Sequence, residues 1–522
     1  MTSTSDDFVA LSDLVHLQAQ NRGAAQAACD ALERLSWAHF DAQADVVAVW
    51  LQTQGIAKGD PVAVCAAASV RYAVAFVGIL RAGAVVVPLS PSVTPPVMAS
   101  MLRDAGARLV LVDEGAQAVV AEAGALIGRA LVAQTGPHSQ VSEGLAVHLM
   151  GTVFPSPFVH LRPEPCEVHA SDSFNIIYSS GTTGTPKGIV QPHGMRWMHI
   201  KRGAAYGYGP DSRTLLSTPL YSNTTLVAFM PTLGHGGCLH LLPKFDALHW
   251  LQTAQQERIT HTMLVPVQIQ RLLDHARFDE FDLSNLTHTF CTSAPLSAAL
   301  KRHWMDRTGS ALVEFYGMTE GGGTCILEAH RHPDKLHTVG RPSAGHDIRL
   351  IDEEGRELPA GATGEVVGRS PAMMSGYHGQ PEKTRDAEWF DAQGLRFIRT
   401  GDVGRFDEDG FLILMDRRKD MLISGGFNLY PSDLEALLRE HPAVADAAVV
   451  GVASRRWGET PVAWVVRRDE TVCEVSVLEW FNHRCGKMQR LAGLAFIDEL
   501  PRNAIGKILK RELRELWNRP VP

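Results

Sequence analysis

The chain has no C-x-x-C pair. Its 8 cysteines, Cys29, Cys65, Cys166, Cys238, Cys291, Cys325, Cys473 and Cys485, are scattered through 522 residues. This scatter supports neither a zinc motif nor a disulfide framework and fits a reducing compartment, so a cytoplasmic location is expected. Basic excess is missing too: the net charge is −8, which argues against a general nucleic-acid or membrane-surface binder. No apolar run reaches the length of a membrane span. The opening Met1-Thr2-Ser3-Thr4-Ser5-Asp6-Asp7 is acidic and has no apolar core, so no secretory leader is expected. No internal repeat or low-complexity tract stands out.

What is present is ordinary globular composition, 45% hydrophobic and 20% charged. The length predicts two or more domains. Helical spacing over 46–54 and 72–80 alternates with short β-branched runs at 62–65, 84–89 and 109–112. The same rhythm returns with a helix over 193–205 and strands at 214–217, 239–242 and 261–265. Such alternation predicts parallel sheets with helices on their faces. Beyond about position 345 the texture changes to short strands, 348–351, 364–368 and 411–414, separated by Gly, Asp and Glu turns, which predicts a small antiparallel unit. A charged run, Asp416-Arg417-Arg418-Lys419-Asp420, reads either as a hairpin turn or as a solvated crossing between domains. Helix 434–438 and strand 447–452 follow it.

The most informative stretch is Ser179-Ser180-Gly181-Thr182-Thr183-Gly184-Thr185-Pro186-Lys187-Gly188, placed directly after the apolar segment 174–178. Glycines let backbone N–H groups turn inward, hydroxyls add donors, and lysine adds a full positive charge. That combination suits a polyphosphate. It is not the Walker pattern, because no Gly-Lys-Ser/Thr triplet opens a helix. Taken alone it also reads as a Gly/Thr-rich surface loop.

This stretch resembles the phosphate loop of the AMP-forming acyl-adenylating enzymes, the superfamily of acyl-CoA synthetases, peptide-synthetase adenylation domains and beetle luciferases. The resemblance continues in order through Tyr316-Gly317-Met318-Thr319-Glu320, Thr400-Gly401-Asp402, Asp416 to Asp420 and Pro501-Arg502-Asn503-Ala504-Ile505-Gly506-Lys507. It implies an α/β fold: a large N-terminal domain of parallel-type α/β sheets plus a small β unit (1–415), a hinge (416–419), and a smaller mobile α+β C-terminal domain (420–522). It implies a ligase that joins a carboxylic acid to AMP from ATP, releases pyrophosphate, and passes the acyl group to coenzyme A. ATP, Mg2+ and coenzyme A are the implied cofactors and co-substrates. The acid and coenzyme A are the implied partners, and a homodimer is left open.

Residue by residue, the resemblance assigns Ser179, Ser180, Gly181, Thr182, Thr183, Gly184 and Lys187 to the phosphates, with Thr183 in a catalytic position. Glu320 becomes the metal-associated carboxylate and Thr319 an α-phosphate contact, within the nucleotide segment Tyr316, Gly317 and Met318. Tyr316 stacks on adenine opposite Ser293, Ala294 and Pro295. Asp402 and Arg417 hold the ribose. Lys507 bridges the acyl carboxylate and the α-phosphate, where a compact charge meets both anions. Lys419 is the pivot, and Ser424, Gly425, Gly426, Trp457 and Arg490 are candidates for holding coenzyme A. On residue chemistry alone, Glu320 also reads as a surface acid, Asp402 as a turn aspartate, Lys507 and Arg490 as solvated charges, and Trp457 as core.

The chain departs from the family pattern in places. Ser222 follows Thr218-Pro219-Leu220-Tyr221 where histidine is frequent, and Cys291-Thr292 stand where Ser-Gly is common. Gly321-Gly322-Gly323 carries no side chains beside an expected pocket wall. Tyr221, Ser222, Gly321 and Gly322 are therefore read as acyl-pocket positions enlarged for a bulky acid, either aromatic or medium-to-long aliphatic. Three alternatives stay open: an adenylation enzyme loading a carrier-protein thiol, a luciferase-like oxygenase, and a catalytically silent nucleotide-binding homologue.

Overall fold

The computed structural model describes residues 7–127, 131–133, 145–153, 161–179, 186–417, 420, 422–424, 427–454, 458–486, 489–503 and 506–518. The chain forms two compact units. The first comprises residues 1–336, 342–347 and 368–398; the second comprises 337–341, 348–367 and 399–522.

The first unit is built on two largely parallel sheets. In one, eight strands run in the order Gly376–Tyr377, Lys187–Pro192, Ser173–Ser179, Val85–Leu89, Pro61–Cys65, Leu109–Val112, Leu145–Leu149, Leu131–Ala133. The strands from Ser173–Ser179 onward are parallel, while Lys187–Pro192 and Gly376–Tyr377 are joined antiparallel. The expected strands at 62–65, 84–89 and 109–112 lie here as continuous buried runs, as strands covered on both faces require.

The second sheet runs Cys325–Glu328, Ala311–Tyr316, His288–Cys291, His261–Leu264, Arg213–Leu216, Cys238–Leu241, Gln26–Cys29, Arg34–Ser36. It is parallel except at its hairpin ends. Helices cover these sheets. Helix Trp37–Thr53 begins nine residues before the expected 46–54 segment, because Ser36 accepts a hydrogen bond from the His39 N–H (3.3 Å) and caps an earlier start. The core gathers Trp37, Phe40, Phe76, Phe174 and Phe229, with Phe76 lying 5.7 Å from the Phe174 ring and 5.6 Å from the Phe229 ring.

An antiparallel sheet of Asp347–Ile351, Gly364–Arg369, Arg396–Phe406, Glu388–Phe390 and Leu412–Arg417 falls largely in the second unit. The second unit also holds a sheet of Leu422–Ser424, Phe427–Leu429, Val444–Ser454, Gly458–Arg467 and Gly493–Phe496, packed with helices Pro431–Arg439, Glu474–Arg484 and Lys510–Trp517. Both the antiparallel texture past 345 and the later helix and strand are found where the sequence predicts them. Among the described residues, no helix is long and apolar enough to cross a membrane.

Candidate active site

In open parallel sheets, ligands gather beyond the carboxyl ends of the strands. In the first unit two such ends are neighbours: His288–Cys291 runs into Ser293, and the paired Ala311–Tyr316 runs into Thr319 and Glu320. Thr292 donates from its hydroxyl to the Phe315 carbonyl (2.8 Å), tying the two exits together. Ser293 adopts φ +83°, a left-handed conformation that costs a β-carbon residue energy and fixes the direction of the loop. Its hydroxyl meets that of Thr224. Ala294 is half-buried, Pro295 is exposed, and Tyr316 is half-buried at its strand end.

Glu320 has a partner that sequence reasoning missed. Tyr377 donates from its phenol to Glu320 Oε1 (2.9 Å). The ammonium of Lys187 stands 4.9 Å from the centroid of the same ring, a cation–π contact. Burial, followed by the charge and hydrogen bond of Glu320, pushes the Tyr377 phenol well above its ordinary range, so it remains a donor. Strand pairing sets this up: Tyr377 is in register with Ile189, and Lys187 with Ser179. The ends of the hydroxyl-rich turn are thereby held side by side. Ser180, Gly181, Thr182, Thr183 and Gly184 lie outside the described residues, as does the Ser179 side chain.

The Thr319–Gly322 loop is fixed by main chain. The Glu320 carbonyl accepts from the Met374 N–H (2.8 Å), and Gly321 bridges Met373. Gly321 has φ +77° and Gly322 φ +85°. A β-carbon on Gly321 would stand 2.1 Å from the Ala372 oxygen, and one on Gly322 2.8 Å from the Gly368 oxygen. These two glycines therefore answer to backbone packing, and the space they leave is filled by main chain. This corrects the expectation that they widen an acyl pocket. Ser222 is buried and caps helix Asn223–Gly234, accepting from the Thr224 N–H (3.3 Å). Tyr221 is half-buried beside it.

Beneath Thr319 lies a buried amide network. Gln191 donates to the Thr319 carbonyl (2.6 Å), and its Oε1 accepts from Asn175 (2.8 Å) and from Arg196. Arg196 also donates to Asn175 (3.0 Å) and Asn223 (2.9 Å). Arg196 is 1% exposed, its acceptors among the described residues are neutral, and burial lowers its pKa to about 9. The sequence carries a faint signal of this arrangement: Gln191 is polar at a buried position that follows the apolar pair Ile189-Val190.

In the second unit, Asp402 is buried and directly opposite Arg417 across an antiparallel pair. Its N–H donates to Thr400 Oγ1 (3.0 Å), whose hydroxyl donates to the Val366 carbonyl (2.8 Å), next to Gly401 at φ +69°. Lys507 is half-buried in a turn: its N–H donates to Asn503 Oδ1 (2.9 Å), and Gly506 has φ +77°. Arg502 braces the turn by donating to the Gly506 carbonyl (2.6 Å). Ser424 ends a hairpin strand opposite Phe427, and Arg490 is exposed. Lys419, Gly425, Gly426 and Trp457 lie outside the described residues.

A cation over an aromatic ring, a carboxylate on the same ring's hydroxyl and two joined strand-end loops form a setting for a nucleotide. Comparison with known proteins agrees. The AMP-binding enzyme family matches residues 15–378, and the AMP-binding enzyme C-terminal domain matches 433–507. This chain belongs to the AMP-binding enzyme family. It is an AMP-forming acid–thiol ligase of the acyl-CoA synthetase type. Feruloyl-CoA synthase from Amycolatopsis is 33% identical over 92% of this chain and 93% of its own length. Long-chain-fatty-acid–CoA ligase FadD13 from Mycobacterium tuberculosis is 31% identical over 94% of each. The crystal structure of ATP-bound MatB from Rhodopseudomonas palustris superposes with a TM-score of 0.84, at 31% identity over 97% of this chain and 99% of that one.

Proposed function

We propose that this ligase activates a bulky carboxylic acid, aromatic or medium-to-long aliphatic, as its acyl-adenylate and then forms the coenzyme A thioester. The observation that carries the reading is the Lys187–Tyr377–Glu320 arrangement beside Thr319. Joining a carboxylate to ATP brings two anions together, so the site must supply positive charge and oriented donors. Lys187 supplies charge at the phosphate turn, and the hydroxyls of 179–183 supply donors. Asp402 accepts from the ribose hydroxyls, with Arg417 as its companion donor. Lys507 meets the negative charge that builds between acyl carboxylate and α-phosphate.

Magnesium fits the residues present. Glu320 offers a half-buried carboxylate, and Tyr377 engages only its Oε1 among the described residues. Bound there, the ion would neutralise phosphate charge. The functional division we propose is the one the family resemblance implies, 1–415 and 420–522, with 416–419 as the hinge and Lys419 its pivot; it differs from the two compact units of the fold. Turning about it withdraws Lys507 and presents Ser424, Gly425 and Gly426 to the pantetheine arm, with Trp457 and Arg490 toward the nucleotide of coenzyme A. Support for a bulky acid comes from the feruloyl and long-chain acyl specificities named for the relatives and from Ser222 in place of a larger ring.

The test is pyrophosphate release across aromatic, branched and straight-chain acids, followed by mass detection of the thioester with coenzyme A and, separately, with a carrier protein. Fastest turnover with a bulky acid and product on coenzyme A is expected. Acetate as best substrate, or product on the carrier alone, overturns the reading.

A further inference from the structure

The second sheet carries a cluster that the adenylation chemistry does not use. Gln26–Cys29 and Cys238–Leu241 are neighbouring parallel strands with Cys29 in register with His240. Cys238 and His240 are two positions apart, so they share one face of their strand. Cys29 Sγ lies 3.0 Å from His240 Nδ1, and one ligand atom from each of Cys29, Cys238 and His240 falls within 4.8 Å of the others. All three residues are buried, with exposures of 4%, 6% and 1%. Among the described residues, the far nitrogen of the imidazole, Nε2, is buried without a hydrogen-bond partner, so those residues orient the ring from its Nδ1 side. Glu257 Oε2 stands 3.8 Å from His240 Nδ1 but lies outside the three-donor cluster and is paired with Arg34.

We propose that Cys29, Cys238 and His240 form a structural site for a soft divalent metal, zinc being the expected ion, with the fourth position taken by a ligand from solvent. Two sulfurs and one imidazole are three of the four donors of a tetrahedral zinc site. Two thiolates offset the charge of a divalent ion, while the Glu257 carboxylate nearby is paired with Arg34 and Arg213. A disulfide fits the same residues poorly, because Cys29 is in register with His240, two positions past Cys238 along the strand. Cysteine spacing gave no hint of the site, since Cys29 and Cys238 come from opposite sides of the first unit's sequence. The site is remote from the nucleotide loops. Four strand steps separate Cys238–Leu241 from Ala311–Tyr316, roughly 19 Å at the usual interstrand spacing. Its role would be to clamp the edge hairpin of the sheet, and activity is not its readout.

The test uses the full chain, expressed without a metal-binding tag in zinc-supplemented medium and passed through gel filtration. Elemental analysis should find about one zinc per chain, falling at least tenfold in Cys29→Ala and Cys238→Ser. Wild-type protein stripped of metal and reloaded with cobalt(II) should show thiolate-to-cobalt charge-transfer absorption; this readout stands even if the variants fail to fold. Wild-type protein with almost no zinc after loading, a cobalt spectrum lacking that absorption, retention of metal by both folded variants, or a Cys29–Cys238 disulfide in the purified protein would overturn the proposal.

Discussion

Tyr377 holds Glu320 by a 2.9 Å hydrogen bond while its ring faces the ammonium of Lys187 4.9 Å away. One side chain thus orients the acid and spaces it from the base. Tyr377→Phe keeps the ring and removes the donor. A hydrogen bond to a charged group contributes about 1.5–3 kcal/mol, so a roughly ten- to hundredfold fall in kcat/KM for MgATP is expected, with at most a modest fall in melting temperature. Pyrophosphate-release kinetics check this; an unchanged kcat/KM removes Tyr377 from the site.

Lys507→Ala should slow acyl-adenylate formation by about 10²–10³-fold, the scale of losing one charge-stabilising donor, and spare thioester formation from supplied acyl-adenylate. The two half-reactions are measured separately. Equal loss in both contradicts the role given to Lys507.

Gly321→Ala tests why the loop is glycine-rich. The new methyl would stand 2.1 Å from the Ala372 oxygen at a left-handed φ of +77°. Strain of about 1–3 kcal/mol is expected, together with loss of adenylation toward every acid tested. A variant that is stable and merely prefers smaller acids would restore the pocket-wall reading.

Much of this was legible in the chain itself. The parallel strands at 62–65, 84–89 and 109–112 announce themselves as short β-branched runs, and Lys187, Glu320 and Asp402 stand in motifs dense enough to identify. Tyr377 was not legible, because it reaches Glu320 across 57 positions and only the pairing of Gly376–Tyr377 with Lys187–Pro192 brings it there. Gly321 and Gly322 were visible, but their reason was not. A glycine that makes room for substrate and one that makes room for a neighbouring carbonyl read the same in one dimension. The early start of helix Trp37–Thr53 was missed for a smaller reason: one serine cap outweighs nine residues of weak periodicity.

Gln191→Leu removes the donor to the Thr319 carbonyl and an acceptor from a buried guanidinium. Leaving the Thr319 carbonyl without this donor and one N–H of Arg196 without its acceptor costs on the order of 3 kcal/mol. Chemical denaturation should register it, and KM for ATP should rise because Thr319 loses its support. Wild-type values for both would show the network to be incidental.

Burial lowers the pKa of His193 and His261 to about 4. Unfolded histidine titrates near 6.5, so between those values the unfolded chain binds protons that the folded chain refuses. Stability from these two groups is therefore complete above about pH 6.5 and is lost as pH falls toward 4. Denaturation midpoints across that window should decline, and His193→Phe should reduce the difference in bound protons by about one. An identical slope in the variant would contradict the burial argument.

Ser222, Asn223 and Thr224 are consecutive, yet each answers to a different master: Ser222 to its own helix start, Asn223 to Arg196, Thr224 to Ser293. Redesigning acid preference at Ser222 is thus entangled with the nucleotide side through its two immediate neighbours. Libraries that randomise the three positions together should yield mostly inactive clones, whereas variation at 222 alone, sparing Asn223 and Thr224, tests whether that position bears on acid preference.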